Sequence, residues 1–504
     1  MDLDKLQTEK DIKEQEAMPL TSSSASAPSA SGGGKQKGMF DRVFTSLYGE
    51  ISHHERSRVA WLSGTLLFII GGYWLLRSLK DPIVAATQGV SYIPTCKMVS
   101  LIVVFALVFV YNKMLDIMPK HHLFYVFGIA YFILFTVIAM ALAHPTIGLD
   151  NTEVRPDRYI GLISYCAIES FGSIGVTMFW AFVNSSVDLE SAKSSFGLII
   201  AGAQVGAIAG PTLATHAKEI SIPGCYFVGA LCMAMIVVMM KLYVTRFGTV
   251  KKDKKVKKSA GLFEGAKLIG NYPYVFGIFL ISCLFMVEVT ILDFMMKVLA
   301  QKEFSEQYPG DKRAASAAFV AYMGRFGQIT NSISLVFSLL GTSFVIRRIG
   351  LRLTLLAFPA MCLGAVGLVY MSGTLSMVFF CMIMLKGFSY ALNNPTKELL
   401  YQPTSLAIKF KAKSWIDIFG ARSAKAIGSV VTNALRNNVE SLLSIGSLVA
   451  MGLSAAMIFN AGYMGKKFDE YQVSGHVVGG EGEGESSESK KEIQMAPTGS
   501  NDKV

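Results

Sequence analysis

Val250–Lys258 reads V-K-K-D-K-K-V-K-K. This charged run stands at the midpoint of a chain that is otherwise mostly hydrocarbon. To either side lie apolar runs of roughly 20 residues, the length a bilayer-spanning helix needs. About twelve such spans can be counted, with centres near Phe68, Val104, Phe132, Ser173, Gly206 and Met233 before the run, and Leu284, Ser332, Phe358, Met382, Ala424 and Leu453 after it. The spans centred on Ser332 and Ala424 are the least apolar. Of the 504 residues, 52% are apolar and only 16% charged, which excludes an ordinary soluble protein. The expectation is an all-α polytopic membrane protein of about twelve transmembrane helices in two six-helix pseudo-repeats, major-facilitator-like. In two-halved carriers of that kind the site lies between the repeats near the bilayer midplane.

Working outward, Lys and Arg gather in alternate loops. Lys35, Lys37, Arg56 and Arg58 precede the first span, Lys113 and Lys120 follow the second, and Arg347, Arg348 and Arg352 follow the eighth. With the central lysine run, these fall on one side if both termini are cytosolic, as the bias of basic residues toward cytosolic loops requires. The opposite loops, Asp150–Arg158 and Gln301–Arg313, are of mixed charge. The net charge of +11 is therefore that of a membrane protein and no sign of nucleic-acid binding. The expected organisation is a disordered cytosolic tail over 1–55, a six-helix half over 56–245, a basic linker over 246–270, a second six-helix half over 271–466, and a disordered tail over 467–504. The first tail opens on acids (Asp2, Asp4, Glu9, Asp11) and turns into a Ser/Ala/Gly tract, with no apolar core behind a basic start. No cleavable secretory signal is expected; an endoplasmic-reticulum, outer plastid-associated or plasma membrane all fit.

Several chemistries are disfavoured. The seven Cys (96, 166, 225, 232, 283, 362 and 381) contain no C-x-x-C pair, so neither a disulfide framework nor a zinc site is indicated. No G-x-x-x-x-G-K-[ST] loop occurs, which argues against a P-loop pump. Asn184-Ser185-Ser186 is a glycosylation sequon, but the topology puts it at a cytosolic helix end. The fifth span, G-L-I-I-A-G-A-Q-V-G-A-I-A-G-P, has the small-residue spacing of close helix packing. No metal and no cofactor is expected, and the chain is expected to act as a monomer in the lipid bilayer.

Charges inside the apolar spans are the informative exceptions, since each costs roughly 2.5–3.5 kcal/mol at a helix centre on insertion scales. The first span ends L-R-S-L-K-D-P, with Arg77, Lys80 and Asp81. The fourth holds Glu169, the seventh Glu288 and Asp293, and the tenth ends N-N-P-T-K-E with Lys397. If the halves are repeats, Lys80, Glu169, Glu288 and Lys397 occupy the first and fourth helices of each. Those helices line the central cavity in two-halved carriers, and Lys–Glu pairs across the halves would satisfy the charges until an anion replaced the carboxylates. Ser389–Lys425 adds Lys409, Lys411, Lys413, Asp417, Arg422 and Lys425, with basic groups outnumbering acids, which suggests an anionic substrate. Trp74, Trp180 and Tyr390 are available to stack a purine, although interfacial or core roles are commoner for such residues.

At these residues the chain resembles the ATP/ADP translocase (nucleotide transporter) family of plastids and of intracellular bacteria and parasites. L-R-S-L-K-D-P-I-V resembles that family's R-x-x-K-D segment. C-A-I-E-S-F-G-S-I-G-V-T-M-F-W-A-F-V-N resembles its E-x-x-x-S-x-x-x-x-x-x-F-W-x-F-A-N motif, with Asn184 in step. M-V-E-V-T resembles its seventh-helix glutamate motif, and Y-A-L-N-N-P-T-K-E-L-L-Y-Q-P its Y-x-L-F-D-P-x-K-E-M-A-Y-I-P. The resemblance implies nucleotide exchange, ATP for ADP or a wider set of purine NTP and dNTP, with Lys80, Glu169, Glu288 and Lys397 at the site and Arg77, Lys411, Arg422 and Asn184 beside them. Asn393-Asn394 stands where the family has Phe-Asp, and Ile291, Leu292 and Asp293 stand where it has Trp-Lys. Nucleotide/proton symport, carriage of another phosphorylated anion, and a non-transporting membrane scaffold are the competing readings.

Overall fold

The computed structural model describes residues 53–186, 189–248, 262–340, 350–405 and 407–480. The lysine run over 250–258, the basic pair Arg347 and Arg348, and most of both expected tails lie outside the described residues. The described part is helical almost throughout. The main helices are α1 (His53–Thr87), α2 (Ile93–Ile117), α3 (Lys120–Ala143), α4 (Ile160–Ser186), α5 (Leu189–Ala214) and α6 (Ile222–Phe247). After them come α7 (Pro273–Gln307), α8 (Lys312–Leu340), α9 (Leu351–Ser372), α10 (Leu375–Phe388), α11 (Ala421–Leu435) and α12 (Val439–Ser474). Among the described residues, eight of these carry a stretch long and apolar enough to cross a membrane, and shorter apolar stretches run over Ile199–Ala214 of α5 and Leu375–Phe388 of α10.

The N-end of α1 packs on the C-ends of α4 and α6, where Arg58 donates to Tyr243 (2.9 Å) and to the Ser186 carbonyl. The start of α7 packs on α12, where Asn460 donates to the Gly277 carbonyl (2.9 Å). These ends define one face, called here the terminal face. At the opposite face the start of α8 meets the loop between α3 and α4, where Lys312 donates to the Thr152 carbonyl (2.6 Å); deeper in, Asn331 of α8 donates to the Ala207 carbonyl of α5 (2.7 Å). Buried side chains form one cluster drawn almost wholly from α1, α3, α4 and α6, a second drawn mainly from α7 to α12, and a smaller third that joins the starts of α7 and α9 to residues 400–416 and the end of α12. The outward side chains of α2, α3 and α6, such as Phe109, Ile133, Met140 and Leu242, are exposed and apolar, as a lipid-facing surface requires.

Helix α5 packs with its backbone nearly on that of α1. A Cβ at Gly202, Gly206 or Gly210 would stand within 2.6 Å of the carbonyl oxygens of Ser63, Leu67 and Gly71 respectively. The three glycines recur every fourth residue, so they share one helix face. The small-residue spacing thus has the packing role expected of it.

The stretch Ser389–Lys425 is not a plain helix–loop–helix. Helix α10 widens into a π turn over Ser389–Asn393 and resumes over Asn394–Leu399. Two further π turns, Ile408–Ala412 and Ile416–Gly420, precede α11. Each π turn rotates the residues beyond it relative to a regular helix, a feature that concentrates at functional sites. Residues 467–474 of the expected tail are helical. Lys467 pairs with Glu470 (2.8 Å) one turn on, α12 continues to Ser474, and Gly475 ends it in the left-handed conformation. The next segment turns back: Ser405 donates to the Val478 carbonyl (2.9 Å) and Val478 to the Pro403 carbonyl (3.0 Å). Part of the expected linker is likewise helical. Leu262–Asn271 is amphipathic and lies on the π-turn segment, with Gly265 against Trp415.

Candidate functional site

A cavity of about 290 Å³ lies between α1, α2, α4, α7, α8, α10 and α11. Its lining holds eight cationic side chains (Arg77, Lys80, Lys97, Lys297, Lys386, Lys397, Arg422 and Lys425) against four carboxylates (Asp81, Glu169, Asp293 and Asp417). Its exposed members Tyr390, Asn394, Asp417 and Lys425 belong to the stretch from the end of α10 into α11, on the terminal side. Lys80 and Asp81 fall near the C-end of α1, Lys97 near the N-end of α2 and Lys297 late in α7, which places them toward the opposite, closed face.

Lys80 is 4% exposed. Its Nζ lies 2.5 Å from Glu169 Oε1, donates to the Tyr165 hydroxyl (3.0 Å) and stands 4.1 Å from the centre of the Tyr165 ring. The helix pitch explains the partnership: α1 and α4 pack side by side, so residues at matching depth meet. One turn before Lys80, Arg77 donates to the Tyr73 hydroxyl (2.7 Å) and lies 5.1 Å from the Trp74 ring. From α11, Arg422 donates to Ser173 Oγ, one turn from Glu169 on α4. Lys397 pairs with Asp417 (3.2 Å) across the π-turn segment.

The second group centres on Asp293. Its Oδ2 lies 2.5 Å from Lys297 on the same helix and 3.0 Å from Lys97 on α2, and its Oδ1 lies 3.8 Å from Lys386 on α10. Lys297 also reaches Asp81 Oδ2 of α1 (2.9 Å).

The structure therefore brings Arg77, Lys80, Glu169, Lys397 and Arg422 to one cavity and leaves three expected residues elsewhere. Glu288 is fully buried but faces away from the cavity. It lies beside Ser454 on α12 and Cys362 on α9, and neither carboxyl oxygen has a partner at hydrogen-bond geometry among the described residues. Lys411 sits outside the cavity, paired with Glu264 of the amphipathic helix (2.5 Å). Asn184 lies near the end of α4, and its side chain is outside the described residues. The expected pairing also changes: Lys80 meets Glu169 among α1–α6, and the pair bridging to α7 uses Asp81 and Lys297 instead. Trp74 and Tyr390 line the cavity, whereas Trp180 packs on Phe179 (5.5 Å between ring centres) in the first cluster. Glu288→Gln should leave nucleotide affinity unchanged, measured by a thermal-shift titration with ATP; a weakened affinity would return Glu288 to the site.

Sequence reasoning missed Lys97, Lys297 and Lys386, and it gave Asp293 no role at the site. The available signal was the i, i+4 spacing of Asp293 and Lys297 inside a 35-residue apolar helix, which puts opposite charges on one face.

Among solved structures, the fold matches a bacterial homologue of the iron transporter ferroportin in an inward-facing state, with TM-score 0.60, 13% identity and coverage of 81% of this chain and 99% of that one. It also matches the nucleoside transporter NupG, with TM-score 0.55, 16% identity and coverage of 82% and 99%. The architecture is the helical, multi-pass fold that these two proteins share. ADP,ATP carrier protein 1 of Chlamydia muridarum is 26% identical over 471 residues, covering 81% of this chain and 87% of the relative. ADP,ATP carrier protein 2, chloroplastic, of Arabidopsis thaliana is 25% identical over 443 residues, covering 76% and 69%. A family model described as TLC ATP/ADP transporter matches residues 34–380, and the chain belongs to that family of integral membrane transporters.

Proposed function

We propose that this chain exchanges nucleotides across a membrane by alternating access, taking ATP and ADP or a wider set of purine NTP and dNTP. It does so as a monomer of twelve membrane-crossing helices in two pseudo-repeats, with both termini cytosolic. The observation that carries the reading is the charge of the cavity: eight cations against four carboxylates leave an excess of four positive charges. A nucleoside di- or triphosphate neutralises such an excess, and a neutral nucleoside does not.

Phosphate oxygens compete with Glu169 for Lys80 and with Asp417 for Lys397. Lysine offers them a point charge, while Arg77 and Arg422 offer planar forks. Trp74 and Tyr390 supply flat faces on which a base stacks.

The test is uptake of labelled ATP into proteoliposomes loaded with unlabelled ADP, beside empty vesicles. Uptake confined to loaded vesicles is the expected outcome. Lys397→Ala removes a charge-assisted hydrogen bond worth ~1.5–3 kcal/mol, so affinity should fall about tenfold to a hundredfold. Equal uptake into empty vesicles would replace exchange with uniport or proton symport. Inhibition by organic phosphates but not by nucleotides would move the substrate class.

A further inference from the structure

We infer that Asp81, Lys97, Asp293 and Lys297 form a crossed ionic lock that holds the face opposite the termini shut, and that phosphate binding at Lys97 releases it. The inference rests on the nucleotide-exchange reading and names the device that couples ligand to reorientation.

The wiring is reciprocal. Lys297 of α7 reaches Asp81 of α1 (2.9 Å), while Lys97 of α2 reaches Asp293 of α7 (3.0 Å). Each side thus lends the other one cation and one carboxylate. The groups are withdrawn from water: Asp81 is 1% exposed, Lys297 2% and Asp293 8%. Asp81 Oδ1 has no hydrogen-bond partner among the described residues, so Lys297 is the neutralising contact this carboxylate has there. The network lines the end of the cavity nearer the face where Lys312 holds Thr152. Opening that face draws α7 away from α1 and α2 and breaks both crossed pairs together.

The consequences for the separated groups differ. Asp293 keeps Lys297 through the i, i+4 contact of its own helix (2.5 Å). Asp81 meets the water that enters as the face opens. Lys97 stays within electrostatic reach of Asp81 on its own side but loses its hydrogen-bonded carboxylate, a costly change for a group taken from a buried pair. A phosphate oxygen in the cavity supplies the missing acceptor. The loaded carrier therefore opens at this face readily and the empty carrier does so slowly, which gives obligatory exchange.

Two readouts test the lock, one of them independent of transport. Thr152→Cys with Lys312→Cys places thiols across the closed face, and their cross-linking rate reports closure. Asp81→Asn in that background should slow cross-linking about tenfold, within the ordinary range of coupling between sites. The charge swap Asp81→Lys with Lys297→Asp should restore it. Inorganic tripolyphosphate should slow cross-linking in the parent and have no effect once Lys97→Gln is added. In proteoliposomes, Asp81→Asn should raise the ratio of ATP uptake into empty over ADP-loaded vesicles by about tenfold. Unchanged cross-linking and an unchanged uptake ratio in Asp81→Asn would overturn the lock, as would a swap that fails to restore closure. A cross-link that responds as expected in a protein with no nucleotide exchange would keep the lock and sink the proposed substrate.

Discussion

Lys80→Ala should abolish exchange in proteoliposomes while the protein still inserts and purifies. The ammonium of Lys80 is the direct partner of Glu169 at 2.5 Å and is held by the hydroxyl and the face of Tyr165. Removing it takes away one phosphate contact and leaves Glu169 largely buried without its closest cation. The lost phosphate contact, a charge-assisted hydrogen bond worth about 1.5–3 kcal/mol, lowers the rate about tenfold to a hundredfold, and the unpaired Glu169 repels the phosphates further. Lys80→Arg is the informative companion. A guanidinium keeps the charge but spreads it over a plane, where the ammonium is a compact point charge beside the Tyr165 ring, so partial recovery is expected. Glu169→Gln removes the competitor for the same ammonium and should tighten nucleotide binding while slowing turnover. These outcomes are read as initial rates of labelled ATP uptake at equal reconstituted protein. Wild-type rates in Lys80→Ala would remove Lys80 from the site and with it the charge argument for the substrate.

Gly206→Leu should cause the largest loss of folded protein. The new Cβ would lie 2.5 Å from the Leu67 carbonyl oxygen and 3.0 Å from the Gly71 nitrogen, both backbone atoms of α1. A flexible side chain can move aside, but a helix backbone moves only by separating α1 from α5 along their length. Overpacking a tight core costs about 1–3 kcal/mol, and clashes with backbone belong at or above that range. Gly364→Leu and Gly367→Leu on α9 are matched controls, because a Cβ at either position meets nothing within 4 Å. The yield of monodisperse protein by size-exclusion chromatography separates the two cases. A normal yield for Gly206→Leu would mean that α1 and α5 do not pack along this face.

The class of the molecule and the residue types of its site were legible in the sequence because both are local properties. A run of twenty apolar residues is long enough to cross a bilayer wherever its neighbours lie. A lysine or glutamate inside such a run is expensive whichever way it points. The glycine spacing of α5 was legible for the same reason, since i, i+4 positions share a face in any helix.

Which charge faces which was decided by tertiary structure alone. Glu288 and Asp293 are five residues apart on α7, a rotation of about 140° at 3.6 residues per turn, so they cannot both face one cavity. The sequence holds that rotation but not its origin. The packing of α7 against α9 and α12 turns Glu288 outward to Ser454 and Cys362, and so turns Asp293 and Lys297 inward to Lys97 and Asp81. The π turns at Ser389–Asn393 and Ile416–Gly420 rotate Lys397 and Arg422 in a way no residue pattern announces. Local chemistry determined that the membrane interior of this protein carries charge. The angle at which each helix is set against its neighbours decided which of those charges meet.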